Sequence, residues 1–496
     1  RSLRALFAER DAAAADGGDP RALAAIDAGI AEAQAARAEA EGAAAAAAPG
    51  YRQLLQAVAE TGAVARALGP REALATMLLG EDHGYVFGVR GGGGEGGNAV
   101  LARRVALSEP EAGRLVARVR EGIAPAGGGG PGRFDTAAAH ALHQALLAPL
   151  APALEGIETL LVAPDAPLLA IPFGLLLTAP TDAAAALGEA PWLIRRHAVA
   201  HVPSPQTLVT LRATGAGASS APRPYAGFGD PVPPSATQLA KSFPADRCAA
   251  DARLAAQLGP LPGTRAEVAA AQQLTGSPPG AVTLGAAFTA AALKRARLDQ
   301  HRIVHLATHA LLPGELSCLT EPAIMVSTPG GAPDAAAAFV PASELLELKL
   351  DADLVILSAC NTGTPTGTPG GAAGRREGAA EADGGEALSG LARAFFFAGA
   401  RGLLVTHWSV DDTAAALTVA DTLRRQEQQG VGSAAALRGA QLLLIEEAGR
   451  RLPPAFAHPY YWAGFALIGD GKRTTGPARQ AAAASATEAA GERRGL

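Results

Sequence analysis

The sequence predicts an α/β protein built on a mostly parallel sheet flanked by helices, and three observations carry that prediction. Short apolar runs recur through the second half of the chain, at 302–307, 354–358, 402–407 and 462–468. Helix-like stretches fall among them, at 386–398, 411–425 and 433–448. Strand and helix in alternation mean βαβ units, and those make a parallel sheet covered by helices. Two of the runs also end on reactive side chains. Ile-Val-His-Leu-Ala-Thr-His-Ala (303–310) delivers His309, and Leu-Val-Ile-Leu-Ser-Ala-Cys-Asn-Thr-Gly (354–363) delivers Cys360. A parallel sheet presents its functional groups at the carboxyl ends of its strands.

Residues 1–72 are rich in Ala with interspersed Arg and Glu, and include six consecutive Ala at 43–48. High helix propensity without strand-like alternation predicts a helical segment, the end of an upstream repeat array. The first residue is Arg1 rather than Met, so the chain is expected to be cut from something longer. From about 73 the pattern changes. Strands are expected at 85–89 and 99–107 across a Gly-rich tip at 91–97, helices at 109–121 and 135–153, and a buried strand at 158–165. A Gly/Ser/Ala/Pro stretch at 213–222 marks a boundary. Beyond it come an extended run at 226–231, a helix at 263–275, a strand at 281–284 and a helix at 289–298. The tail from about 472 is Ala/Thr/Arg/Glu-rich and is expected to be disordered.

Composition narrows the function. At 496 residues the chain is long enough for about three domains. Hydrophobic residues make up 49% and charged residues 18%, which is globular rather than disordered. The net charge of −5 offers no basic surface, so nucleic acid is not an expected partner. Three cysteines (Cys248, Cys318, Cys360) are too few for a disulfide framework and suit a reducing compartment. No signal segment and no run of about 20 apolar residues is present, so a cytoplasmic address and no membrane partner are expected.

A cysteine attacks as its thiolate, which calls for a nearby imidazole and some exposure. Small residues flank Cys360 in Ser-Ala-Cys-Asn-Thr-Gly and leave room for a substrate backbone. His301, His305 and His309 are spaced by four, a spacing that also suggests zinc. The run that holds them is β-like, however, and lacks the glutamate of a zinc-protease helix. His305 is therefore expected to be a hydrogen-bonded core residue and His309 the base, with no metal. The Gly-rich stretches at 91–97 and 127–132 lack the Lys-Ser/Thr of a phosphate loop and read as surface loops.

His309 precedes Cys360 by about 50 residues, the order and spacing of caspase-like cysteine proteases. Further runs carry a family resemblance. Gly385-Glu-Ala-Leu-Ser-Gly-Leu-Ala-Arg-Ala-Phe-Phe-Phe-Ala-Gly-Ala-Arg-Gly402 leads into Leu-Leu-Val-Thr-His-Trp408-Ser-Val-Asp-Asp412. His458-Pro-Tyr-Tyr-Trp-Ala-Gly-Phe-Ala-Leu-Ile-Gly469 stands near the end, and Tyr225-Ala-Gly-Phe-Gly-Asp-Pro231 opens the second half. With the two strand-end motifs, these closely resemble the CHAT domain, a caspase-like (clan CD) family distantly related to separase. The resemblance implies a catalytic module at 222–471 and a degenerate companion at 73–215, which the run Leu161-Val-Ala-Pro-Asp-Ala-Pro-Leu-Leu-Ala-Ile-Pro-Phe173 also fits. It makes His309 the general base and Cys360 the nucleophile. The family places Gly after the histidine, where this chain has Ala310. The backbone N–H groups of Ala310 and Cys360 should form the oxyanion hole, which Ala serves unless the position needs φ > 0.

Specificity is read from acids near the site. Separase-like enzymes place an acid for a basic P1 residue after the Trp-bearing strand, which makes Asp411 and Asp412 candidates, with Asp230 a third. Asp411 or Asp412 also suits the N-cap of helix 411–425. The enlarged loop 363–385 contains Arg375 and Arg376, expected sites of self-cleavage where caspases carry their activation linker. The expectation is thus a cysteine endopeptidase with no cofactor, acting on a particular partner protein presented through upstream helical repeats or a regulatory partner. The alternative is a catalytically silent caspase-fold interaction module of a signalling system.

Overall fold

In a computed structural model of the chain, the apolar runs assemble into one sheet of 11 strands with a second sheet of 3 beside its carboxyl edge. The structure describes residues 58–92, 100–123, 131–182, 187–213, 219–242, 258–311, 321–328, 335–358 and 384–472, with helix at 25, 26, 28 and 29. The chain divides into a unit at Arg1–Ala57 and one at Val58–Leu496, and the second holds both sheets. Most of the expected N-terminal helical segment, the Gly-rich tips, the core of the 213–222 stretch and the C-terminal tail lie outside the described residues.

In chain order the first elements are α1 (Thr61–Ala67), β1 (Glu72–Leu79), β2 (Gly84–Arg90), β3 (Leu101–Val105), α2 (Glu109–Ile123), α3 (Thr136–Leu146), β4 (Thr159–Ala163), β5 (Ala198–His201) and α4 (Pro205–Ala213). Then come β6 (Arg223–Gly229), α5 (Pro262–Leu274), β7 (Val282–Leu284), β8 (His301–Ala307), β9 (Ala310–Leu311), β10 (Ala323–Met325), β11 (Phe339–Pro341) and β12 (Leu354–Ser358). The last are α6 (Gly384–Ala398), β13 (Gly402–Thr406), α7 (Asp412–Arg424), α8 (Ser433–Glu447) and β14 (Phe465–Gly469).

The large sheet runs β3-β2-β1-β4-β5-β14-β13-β12-β8-β6-β7. Pairing is parallel except at β1–β2, β2–β3 and β13–β14, which bears out the expected fold class. Strands on both sides of the 213–222 stretch share this sheet, joined where Ile468 of β14 pairs with His201 of β5.

Local sequence accounts for most elements. In α2, Ala112, Val116, Val119 and Ile123 recur at steps of four and three and form its buried face. Asp135 caps α3 by accepting from Ala138 N–H at 2.9 Å. The single helix expected over 135–153 instead breaks after Leu146, because Pro149 and Pro152 cannot continue the hydrogen-bond ladder. β1 was not expected. Glu-Ala-Leu-Ala-Thr-Met-Leu-Leu is made of good helix formers, yet β2 and β4 pair with its two edges and hold it extended. β5, α4 and the small β9–β10–β11 sheet were also not foreseen.

Strand alternation sorts the sheet's side chains between two cores. Ile303, Ala307, Leu354 and Ile356 belong to one core, with Val268 and Ala271 of α5 and Ala414 and Val419 of α7. Val304, Leu306, Val355 and Leu357 belong to the other, beneath Leu391, Phe395 and Phe396 of α6. By the same period of two, His305 and Ser358 project toward α5. That phase assembles the site.

Candidate active site

β6, β8, β12 and β13 lie side by side, and all four end at one edge. The final β8–β12 pair is Ala307 with Ser358, and Thr308 N–H then donates to Ser358 O at 3.1 Å. Thr308 Oγ1 also donates to Met325 O, which ties the turn to β10. His309 therefore leaves β8 from a turn fixed on two sides.

The imidazole of His309 is 8% exposed, and its Nε2 lies 2.8 Å from Gly259 O. A carbonyl only accepts, so Nε2 carries the proton and Nδ1 keeps its lone pair. Burial lowers the pKa of the ring below its ordinary value, with the Gly259 carbonyl opposing. A neutral imidazole with a fixed tautomer, whose Nδ1 has no hydrogen-bond partner among the described residues, can act as a base at neutral pH.

Ala310 opens β9, where it faces Ile324 while Leu311 faces Ala323. Met325 N–H donates to His309 O at 2.8 Å. His309 and Leu311 therefore take the hydrogen-bonded places of the ladder and Ala310 the place between, so the Ala310 N–H points away from β10. Among the described residues only Asp230 and Arg297 combine positive φ with a side chain. Ala310 is thus not in the left-handed region, and alanine meets no backbone penalty where the family has glycine. Cys360, Arg375 and Arg376 lie outside the described residues; β12 carries the chain to Ser358, two residues before Cys360.

Beneath these strand ends lies a buried polar group of four side chains. Tyr225 Oη is 2.9 Å from His305 Nδ1, His305 Nε2 is 3.0 Å from Glu267 Oε1, and Ser358 Oγ donates to Glu267 Oε2 at 3.1 Å. His305 is fully buried, which bears out its reading as a hydrogen-bonded core histidine. The glycine at 227 keeps Tyr225 in place, because a Cβ there would sit 2.5 Å from the Tyr225 hydroxyl and 2.6 Å from Val268 Cγ1. The three histidines spaced by four have separate partners: Arg297 O for His301, Glu267 for His305 and Gly259 O for His309.

The three specificity candidates separate clearly. Asp230 pairs with Arg265 at 2.6 Å. Asp411 caps α7, accepting from Thr413 and Ala414 N–H, each at 3.0 Å. Asp412 lines a narrow cleft with Leu261, Thr264, Glu267, Ser358 and Thr406, and has no ion-pair partner among the described residues. Partial burial raises its pKa above the usual carboxylate value, helped by Asp411 and Glu267. Gly263 makes room for it, since a Cβ there would lie 2.8 Å from Asp412 Oδ2.

Trp408 stands two residues beyond the end of β13. Its Nε1 donates to Tyr460 O at 2.9 Å, and the Arg120 guanidinium lies 5.3 Å from its ring while donating to His407 O. Gly464 permits this packing, as a Cβ would meet Val410 Cγ2 at 2.5 Å. The C-terminal motif is thus a buttress, with Trp462 buried 5.2 Å from Trp192 and His458 capping the short helix Pro459–Trp462.

Sequence reasoning missed Gly259 and Glu267. A backbone carbonyl has no side-chain signature. Glu267 did have one, since it stands in the buried stripe of α5 with Thr264, Val268 and Ala271.

A mostly parallel sheet with a neutral histidine at its carboxyl edge, beside the strand that leads to a cysteine, defines a caspase-like α/β protein. The CHAT domain model matches residues 136–470, and the chain belongs to the CHAT domain family. Among solved structures it is similar to the Arg-specific cysteine proteinase gingipain R, at 8% identity and a TM-score of 0.33 over 74% of this chain and 76% of that one. A search of curated proteins finds no match. No helix among the described residues is long and apolar enough to cross a membrane.

Proposed function

We propose that the chain is a cysteine endopeptidase in which Cys360 is the nucleophile and His309 the base. The observation that supports this reading is the Gly259 carbonyl on His309 Nε2, which leaves Nδ1 as the basic atom at the edge where β12 ends, two residues before Cys360 in the sequence. His309 Nδ1 takes the thiol proton as sulfur bonds to the scissile carbonyl carbon. The carbonyl oxygen becomes an oxyanion held by the N–H groups of Ala310 and Cys360. Collapse breaks the C–N bond, His309 gives its proton to the leaving amine, and a thioester remains. Water then attacks the thioester with His309 again as base, and releases the carboxylic acid and the thiol. The substrate is a polypeptide. Asp412 is the acid best suited to a basic P1 side chain, because Asp230 and Asp411 are already engaged.

One observation favours a second reading. The cleft beside Asp412 offers only about 20 Å³, so it must widen before it admits a lysine or arginine side chain. A protein that never opens it would be a caspase-fold interaction module without turnover. Cleavage of a P1-diverse fluorogenic peptide library by wild type and Cys360→Ala decides between the two. Turnover after Arg or Lys that vanishes in the variant supports the peptidase, whereas silence from wild type supports the module.

A further inference from the structure

The peptidase reading leaves the best-buried carboxylate near the edge without a task. Glu267 is 4% exposed, on the inward stripe of α5. It accepts from side chains on two different strands: His305 Nε2 on β8 at 3.0 Å and Ser358 Oγ on β12 at 3.1 Å. His305 stands four residues before His309, and Ser358 is the last residue of β12. A third strand joins through Tyr225 of β6, whose hydroxyl meets His305 Nδ1 at 2.9 Å.

A buried carboxylate is costly unless donors satisfy it. Here both oxygens are engaged, and the donors come from the two strands whose relative placement the chemistry depends on. The last β8–β12 pair among the described residues is Ala307 with Ser358, and the Thr308 N–H bond to Ser358 O follows it. The Glu267 bonds add a side-chain tie between the two strands at this last pair.

We propose that Glu267 is a positioning residue for the reaction: through His305 and Ser358 it locks the ends of β8 and β12 in register, and so sets the strand end that bears His309 against the strand end from which the chain runs on to Cys360. This inference rests on the peptidase reading. It assigns Glu267 no contact with substrate, although Glu267 lies on the wall of the cleft that holds Asp412.

The test uses the full chain with Glu267→Ala, Glu267→Gln, Ser358→Ala and His309→Ala. Two quantities are measured: kcat and KM on the best library peptide, and the pH dependence of Cys360 alkylation by iodoacetamide. Misplacement of about 1 Å costs on the order of 10²-fold in rate, so Glu267→Ala should lower kcat by roughly that factor and leave KM unchanged. Its alkylation inflection should move up toward about 8.5, the value of an unpaired thiol. Ser358→Ala should shift both in the same direction, by less. Glu267→Gln should restore most of kcat, because the amide oxygen still accepts from His305 and the amide N–H can donate to the Ser358 hydroxyl. If Glu267→Ala does not fold, Ser358→Ala and Glu267→Gln decide alone.

Unchanged kcat and alkylation profile in Glu267→Ala and Ser358→Ala overturn the proposal. So does a rise in KM confined to basic P1 peptides in Glu267→Gln with an unmoved profile, which would make Glu267 a P1-binding acid. A wild-type profile indifferent to His309→Ala overturns the peptidase reading itself, and is distinguishable from both.

Discussion

His201 ends β5 and His309 follows β8, two strands of one sheet that run in opposite directions because β13 and β14 pair antiparallel, and their surroundings differ at each point that matters for catalysis. His201 ends β5, where Phe173 N–H donates to its Nε2 at 3.4 Å, so the lone pair of that nitrogen is spent. Burial pushes its pKa down to about 4. On the strand beside it, β4 runs into Ala-Pro-Asp, and Asp165 accepts from Leu79 N–H at 2.8 Å. His309 meets an acceptor instead, the Gly259 carbonyl, and the strand beside it runs into Ser-Ala-Cys. The same sheet carries a structural histidine in one half and a candidate base in the other. What separates them is the hydrogen-bond partner on the second ring nitrogen and the residue at the neighbouring strand end, not the fold.

The comparison breaks most visibly under substitution. His309→Ala should lower kcat by about 10³-fold, within the 10²–10⁴ that a positioned general base supplies. His201→Phe, which keeps ring volume against Phe173, should leave turnover near wild type. Single-turnover kinetics on the best library peptide check both. A comparable loss from His201→Phe would show that the two halves share one catalytic centre.

Acid stability sharpens the same contrast. The folded pKa of His201, about 4, lies below the value of roughly 6.5 expected unfolded. Between those values the unfolded chain binds a proton that the folded chain does not, so stability is fully present above pH 6.5 and falls as pH drops toward 4. The loss should reach about 3 kcal/mol for this one group. His143 and His458, also pushed to about 4 by burial, add losses of the same sign. Denaturant unfolding of wild type and His201→Phe at pH 7 and pH 4.5 measures its share. The pKa of His309 is lowered too, so the acid limb of kcat/KM should fall below pH 6.5.

Much of the half that carries the candidate site was legible in the sequence. β8, β12 and β13 are apolar, with β-branched residues, and are bounded by turns, so both their existence and the side chains at their ends could be read directly. β1 was not legible, because Ala, Leu, Met and Glu suit a helix and only pairing with β2 and β4 makes it a strand. β9, β10 and β11 are two or three residues each, too short for a period to show. Their effect on Ala310 was invisible for the same reason: the ladder sets an ordinary strand conformation where glycine had been the expected residue. The Gly259 carbonyl belongs to backbone and left no trace in side-chain pattern. Glu267 was readable as a carboxylate on the buried phase of α5, but its meaning required knowing which strands α5 covers.

The two adjacent acids make a smaller version of the same comparison. Asp412 lines the cleft without an ion-pair partner among the described residues, whereas Asp411 is spent on capping α7. Asp412→Asn should cut kcat/KM for Arg and Lys at P1 by tenfold or more, on the order of 1.4 kcal/mol per tenfold, and leave apolar P1 peptides little changed. An equal loss across all P1 residues would remove Asp412 from specificity.

Asp411→Ala should do the reverse. It removes the acceptor for the Thr413 and Ala414 N–H groups, so it should cost about 1 kcal/mol of stability and leave the P1 profile as it was. Asp411→Asn, which still caps, should recover most of that loss. Thermal unfolding of the pair beside their P1 profiles reads both quantities. If Asp411→Ala moved the P1 profile while Asp411→Asn did not, the cap would be setting the position of Asp412 at the start of α7, and the two acids would have to be counted as one specificity unit.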